Sequence, residues 1–241
     1  DIDYKYLAFP YIPDYPKLAA DSTNLKAHYK FDGDYNDSNP SATKYNLSVQ
    51  GTPTFDYSNS IIGGSVYLNA NNEYVSTTVN FPNAANTSYS CWFRREDKTN
   101  HEILFGIGDN FLVMLHKVDV IYISNTSGDG ESYTQPVITW TNPTSWYHLV
   151  FIFTTDSWKL YINGVEQTIS ITKYGGSTNQ IPTGILYIGR TPLSGWASSF
   201  LKSRVDDFRI YDKALSQEEI TQLYTIPTST SYTLKVPTTG T

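Results

Sequence analysis

Residues 147–154, YHLVFIFT, are apolar, aromatic or β-branched at almost every position. A run of that kind, too short for a membrane span, predicts a central strand covered on both faces. After a turn at Asp156-Ser157, Trp158, Leu160 and Ile162 alternate with Lys159 and Tyr161, the period-two pattern of a half-buried strand. Asn163-Gly164 follows, and both residues tolerate the positive φ of a type I′ turn. Residues 145–167 therefore predict a long apolar hairpin, which needs a second sheet over it.

The same reading extends along the chain. Ala27, Tyr29 and Phe31 alternate with Lys26, His28 and Lys30, giving a first strand. Further strands are expected at 45–50, 64–69, 74–79, 88–95, 102–106, 111–116, 120–124, 136–139, 184–190 and 203–212, separated by turn residues such as Gly63-Gly64, Asn71-Asn72 and Gly128-Asp129-Gly130. Many short strands at this spacing indicate an antiparallel sandwich. One helix is expected from Ser216 to about Tyr224. Ser216 and Glu219 form a capping box, and Leu215 and Ile220 form the hydrophobic staple around it. Residues 1–23 carry Tyr4, Tyr6, Phe9, Tyr11 and Tyr15 among prolines that forbid a helix or a central strand, so they read as an arm or linker. Residues 24–226 form the sandwich, and the Thr-rich 227–241 a second linker.

Composition narrows the function. Aromatic residues make up 15% of the 241 and charged residues only 17%, which favours strands and a polar, weakly charged surface. The net charge of -6, without a basic cluster, argues against nucleic acid, whose phosphates are met by Lys and Arg. No run of about 18 apolar residues is present to span a membrane. Cys91 is the single cysteine, so no intrachain disulfide can form. A start at Asp1 and a Thr-rich end read as a processed product or a piece of a longer protein.

Three segments carry a resemblance. LKAHYKFDGDYNDSNPSATKYNLSVQGTPTF, from Leu25, is similar to the opening strands of laminin-G-like, concanavalin A-like jelly rolls. SWYHLVFIFTTDSWKLYINGVEQ resembles that family's Trp-His-His-Val strand and Leu-Tyr-Val-Asn-Gly hairpin. LYIGR with SRVDDFRIYDKALSQEEITQLY resembles its closing strand and short helix. The match runs over about residues 25–225, in order, and departs where Leu68-Asn69-Ala70 stands in place of a Phe-Asp-Gly turn. The resemblance implies an all-β, antiparallel two-sheet jelly-roll sandwich with one short C-terminal helix.

Three chemistries are candidates on such a fold. Retaining hydrolysis needs two carboxyl groups about 5 Å apart. Glucanase relatives place acids on alternate residues of one strand, whereas Asp206 and Asp207 are adjacent and expected to point opposite ways, so an enzyme is disfavoured. Calcium prefers oxygen ligands, and Asp32, Asp34, Asn36 and Asp37 make an oxygen-rich loop that lacks the later EF-hand positions. The resemblance adds Asp206, at the place where relatives hold a structural calcium, giving the set Asp32, Asp34 and Asp206. Glycans stack on exposed aromatics, and Trp140 and Trp196, in polar loops, are the candidates, with Tyr133 as an addition. Trp92, Trp146 and Trp158 lie in or beside strands and read as core. Sequons at Asn36, Asn46, Asn86 and Asn125 are acceptors for glycan if the chain is secreted. The expected function is thus a non-catalytic recognition or adhesion module for glycan or protein, in an extracellular, cell-surface or virion protein. The alternatives are a structural virion component attached to neighbouring subunits through residues 1–23, then a glycoside hydrolase.

Overall fold

The structure, a computed structural model, describes residues 17–81, 84–96, 99–117, 120–127, 130–134, 144–154, 157–169, 172–175, 182–192, 195–196 and 198–225. Residues 1–16 of the arm, the strand expected at 136–139, Trp140 and the 227–241 tail lie outside them, as does the Tyr133 side chain.

In chain order the strands are β1 (Leu25–Tyr29), β2 (Leu47–Gln50), β3 (Thr54–Asp56), β4 (Ser65–Tyr67), β5 (Tyr74–Thr77), β6 (Asn86–Arg95), β7 (Glu102–Ile107) and β8 (Phe111–His116). They continue with β9 (Val120–Ser127), β10 (Gly130–Thr134), β11 (Trp146–Thr154), β12 (Trp158–Ile162), β13 (Val165–Gln167), β14 (Thr172–Gly175), β15 (Leu186–Ile188) and β16 (Ser203–Tyr211), followed by helix α1 (Gln217–Tyr224). Among the described residues these make two antiparallel eight-stranded sheets. The first runs β13-β12-β11-β6-β16-β4-β3, with β1 also pairing along β16. The second runs β14-β10-β9-β8-β7-β15-β5-β2.

The apolar hairpin occupies the middle of the first sheet. β11 pairs with β6 without interruption from Trp146↔Arg94 to Thr154↔Asn86, and with β12 from Leu149↔Ile162 to Phe153↔Trp158. Asn163 and Gly164 take φ of 51° and 77°, the positive values their identities allow. Tyr147, Leu149, Phe151 and Phe153 face the second sheet, where they meet Phe105, Phe111, Val113 and Ile121. Aromatic contacts tie the layers together: Phe111 and Phe151 stack at 5.5 Å, and Phe105 meets Phe208 edge-on at 5.2 Å. Each such ring contributes about 2–3 kcal/mol by leaving water.

The outer face of the first sheet is covered too, which changes the reading of β12. Its period-two pattern predicts a half-buried strand, but Tyr161 is buried as well. A second apolar cluster joins Tyr161, Val150 and Ile152 to Leu215, Ile220 and Leu223 around α1, and to Leu18 and Ala20 beside a short 3-10 helix, Ala19–Ser22. The packed body therefore reaches to Leu18, N-terminal of residue 24. The helix starts as its sequence implies. Ser216 Oγ accepts from Glu219 N at 3.3 Å, and Glu219 Oε2 accepts from Ser216 N at 2.8 Å.

One expectation about side-chain direction fails. In β16, Asp206 pairs with Trp92 and Arg209 with Ser90, so the strand carries one extra residue between them. This bulge, with Asp207 at φ 46°, turns the Asp207 carboxylate to the same outer face as Arg209. Asp206 and Asp207 thus share a face instead of pointing opposite ways.

Candidate functional site

Trp196 lies in a turn between β15 and β16, on the face of the second sheet turned away from the first. It packs on Ile103, Leu112, Met114 and Tyr122, a cluster supplied by β7, β8 and β9. Its ring is edge-on to His101 at 5.6 Å and 6.2 Å from Tyr122. The side chain is half-buried, so part of the indole anchors the turn and part remains accessible. Ser199 N donates to Trp196 O at 2.9 Å, closing the turn.

Beside this turn is a cavity of about 350 Å³. Asn71, Asn100, His101, Ser198, Ser199 and Lys202 line it, from three separate segments of the chain. Glu102 also lines it and is fixed: Arg95 Nε donates to Oε2 at 2.8 Å, and Lys202 N donates to Oε1 at 2.8 Å. Burial raises the Glu102 carboxyl above the usual range, with the Arg95 charge pulling the other way. The Arg95–Glu102 pair also links β6 of one sheet to β7 of the other. The His101 and His116 rings lie 4.0 Å apart and tilted to each other, and the buried His101 Nδ1 has no hydrogen-bond partner. Burial lowers the pKa of both histidines, and the charges of Lys117 and Arg95 lower them further. A second cavity of about 260 Å³, lined by Phe81, Tyr89 and Ile210, carries Lys26 and Asp212 already paired at 2.7 Å.

Of the expected ligand-binding set, Trp196 alone can be placed, since Trp140 and the Tyr133 side chain lie outside the described residues. Trp92 and Trp158 are buried, as core residues should be. The polar groups around Trp196 went unremarked in the sequence, because nothing in the separate strings NA-NN, TN-HE and SSFLK marks them as neighbours.

The residues expected to hold calcium each accept backbone N–H groups. Asp32 Oδ1 accepts from Gly64 N at 2.7 Å, Asp34 Oδ1 from Asn36 N at 2.9 Å, and Asp206 Oδ2 from Ile61 N and Ile62 N at 2.7 and 3.0 Å. Asp206 Oδ1 is buried without a hydrogen-bond partner. Among the described residues no group of three or more His, Cys, Asp or Glu is placed to hold a metal ion. Burial, then the Asp207 charge, pushes the Asp206 carboxyl well up, which favours its neutral form. The polar loop uses its carboxylates as turn-formers instead. Asp37 is buried and binds three backbone N–H groups.

A serine and a histidine do meet in the fold. Ser90 Oγ and His148 Nε2 lie 2.9 Å apart on the outer face of the first sheet. Both are buried, with Trp92 and Tyr224 stacked against the imidazole at 4.9 and 6.1 Å. The nearby acid serves a different histidine: Asp207 Oδ1 lies 2.6 Å from His28 Nε2 and accepts from Arg209 Nε at 2.9 Å. This is a sealed polar row within the packing, with no room for a substrate. Cys91 is likewise fully buried between the sheets, and burial pushes its thiol pKa up, away from the reactive thiolate.

The sequons divide by exposure. Asn36, Asn46 and Asn86 are exposed, whereas Asn125 is 2% exposed within β9 and has no space for a glycan in this fold. No helix among the described residues is long and apolar enough to cross a membrane.

Two antiparallel sheets, a short helix roofing one of them and an aromatic-edged basin on the other define a jelly-roll sandwich of lectin type. The chain belongs to the concanavalin A-like lectin/glucanases superfamily, whose family profile matches residues 67–221. No curated protein matches it in sequence. Among solved structures, it resembles domain 4 of the GH43 extracellular arabinanase AbnA from Geobacillus stearothermophilus, determined with arabinotriose, at 23% identity and TM-score 0.62. That match covers 83% of this chain and 98% of the other. It also resembles the binding domain of Paraclostridial Mosquitocidal Protein 1 (18% identity, TM-score 0.64, 85% of this chain) and the receptor binding domain of botulinum neurotoxin C/D mosaic serotype (14%, 0.63, 85%). The chain spans about half of those two toxin domains, 52% and 51%. The two toxin neighbours are binding domains.

Proposed function

We propose that this domain is a non-catalytic carbohydrate-recognition module of a larger extracellular or surface protein, and that the basin beside Trp196 is its sugar site. The observation that carries the reading is the half-buried Trp196, packed on the second sheet and edge-on at 5.6 Å to His101, which lines a polar cavity of about 350 Å³. Sugars present an apolar face to an aromatic ring and hydroxyls to amides and hydroxyls, and small-ligand sites combine these two surfaces. The arabinotriose-bound arabinanase domain, matched over nearly its full length, supports the same reading. Among the described residues the basin lining holds one acid, Glu102, and it is committed to Arg95, whereas hydrolysis by paired carboxylates needs two.

A glycan array probed with the intact chain tests this. The expected result is selective binding that Trp196→Ala weakens at least 10-fold while the thermal melt stays within a few degrees. An array with no hits, or a Trp196→Ala variant that binds like the parent, removes the site.

A further inference from the structure

We infer that the basin beside Trp196 takes a carboxylate-bearing saccharide, such as a uronic or sialic acid residue, with Lys202 as the counter-charge to the carboxylate. This rests on the carbohydrate reading and narrows it to a chemical class.

The charge balance of the lining points there. The chain as a whole carries a net charge of -6, so an unneutralised cation in a cavity stands out against its background. Lys202 lines the cavity and forms no ion pair among the described residues. The acid in the same lining, Glu102, already faces Arg95 at 2.8 Å, so it does not serve the Lys202 ammonium. Glu73, next to Asn71 and Asn72 in the chain, spends its Oε2 on the N–H groups of Asn69 and Ala70.

The rest of the lining selects among anions. Phosphate and sulfate groups recruit guanidinium forks or several cations at once. Here Arg95 is occupied by Glu102 and by the carbonyls of His116 and Asn100, which leaves Lys202 as the one lysine in the lining among the described residues. A single cation beside amides and hydroxyls matches a singly charged, hydroxyl-rich ligand. The volume, about 350 Å³, lies at the lower end of small-ligand sites, roughly 300–1,000 Å³.

The test is calorimetric titration of the intact chain with 3′-sialyllactose, hyaluronan oligosaccharides and oligogalacturonates, each beside its neutral or carboxyl-reduced counterpart, at low and at physiological salt. The expected result is at least 10-fold tighter binding of one acidic form than of its neutral partner, a preference that shrinks as salt rises. Lys202→Met abolishes the preference for the acidic form, and Lys202→Arg keeps it. Trp196→Ala weakens both forms. Neutral and acidic forms binding equally, or a preference that survives Lys202→Met, overturns the inference and leaves the carbohydrate reading standing. If neither form of any pair binds, both readings fall. Should Lys202→Met not fold, the salt dependence of the parent protein decides: a preference indifferent to salt overturns the proposal.

Discussion

Asp37 accepts backbone N–H groups from His28 and Asn39 on one oxygen and from Tyr45 on the other, each at 2.9–3.0 Å, and it is buried. Removing the carboxylate strands donors with no water to replace it, so Asp37→Ala is expected to cost about 3 kcal/mol in urea denaturation. A loss below about 1 kcal/mol would show that the loop re-satisfies itself. His148 gives a pH signature. Burial, only partly opposed by the Asp207 charge, lowers its pKa to about 3. The unfolded chain takes up that proton near pH 6.5. The stability contributed by keeping His148 neutral is therefore complete above about pH 6.5 and drains as pH falls from there toward 3. His28, lowered by burial and by Arg209 against its bond to Asp207, acts with the same sign. Asp206, pushed up by burial, acts with the opposite sign, so the variant comparison matters more than the raw slope. Thermal melts from pH 7 to 4.5 should fall less steeply for His148→Gln than for the parent; identical slopes would assign the effect elsewhere.

At the scale of elements, the central hairpin and α1 were legible because local chemistry and global packing agree on them. The Asn163-Gly164 pair fixes the turn, and the Ser216–Glu219 box fixes the helix start. Ser216→Ala should cost about 1 kcal/mol by chemical denaturation, since the Glu219 N–H then loses its acceptor. No change would mean that water caps the helix equally well. Strands β3, β10 and β14 were not legible. TFD, GESYT and TKYG are short and polar, and they are strands because a neighbouring edge offers hydrogen bonds. The Asp206/Asp207 orientation was hidden for another reason: a bulge inserts one residue, and period-two reasoning has no way to anticipate it. The burial of Tyr161 was missed because alternation describes a strand and its own face, not the helix that later covers that face.

For the whole molecule, fold and site differ in how far the sequence reveals them. The sandwich is written in repeated local patterns, so three segments in order suffice to indicate it. The basin depends on topology. Asn71 precedes β5, Asn100 and His101 precede β7, and Ser198 to Lys202 precede β16, so only the folded sheets bring 71, 101 and 202 together. Trp196 could be singled out as an aromatic residue in a polar loop, but its partners could not. The Arg95–Glu102 pair is the joint beneath the basin, spanning both sheets with side chains 2% and 1% exposed. Glu102→Gln leaves the buried guanidinium without its counter-charge and should cost about 3 kcal/mol. In a urea titration followed by tryptophan fluorescence, an unchanged midpoint would show that the joint is dispensable.

The lone thiol in the layer between the sheets gives the protein an internal reporter. Cys91 sits on β6, opposite Leu149 on β11, with no accessible surface. A thiol reagent in solution cannot meet it until the two layers part. Labelling of Cys91 in native buffer therefore times the rarest excursion of the domain, whole-sandwich opening. Occupancy of the distant basin by ligand should slow that labelling by the factor 1 + [L]/Kd.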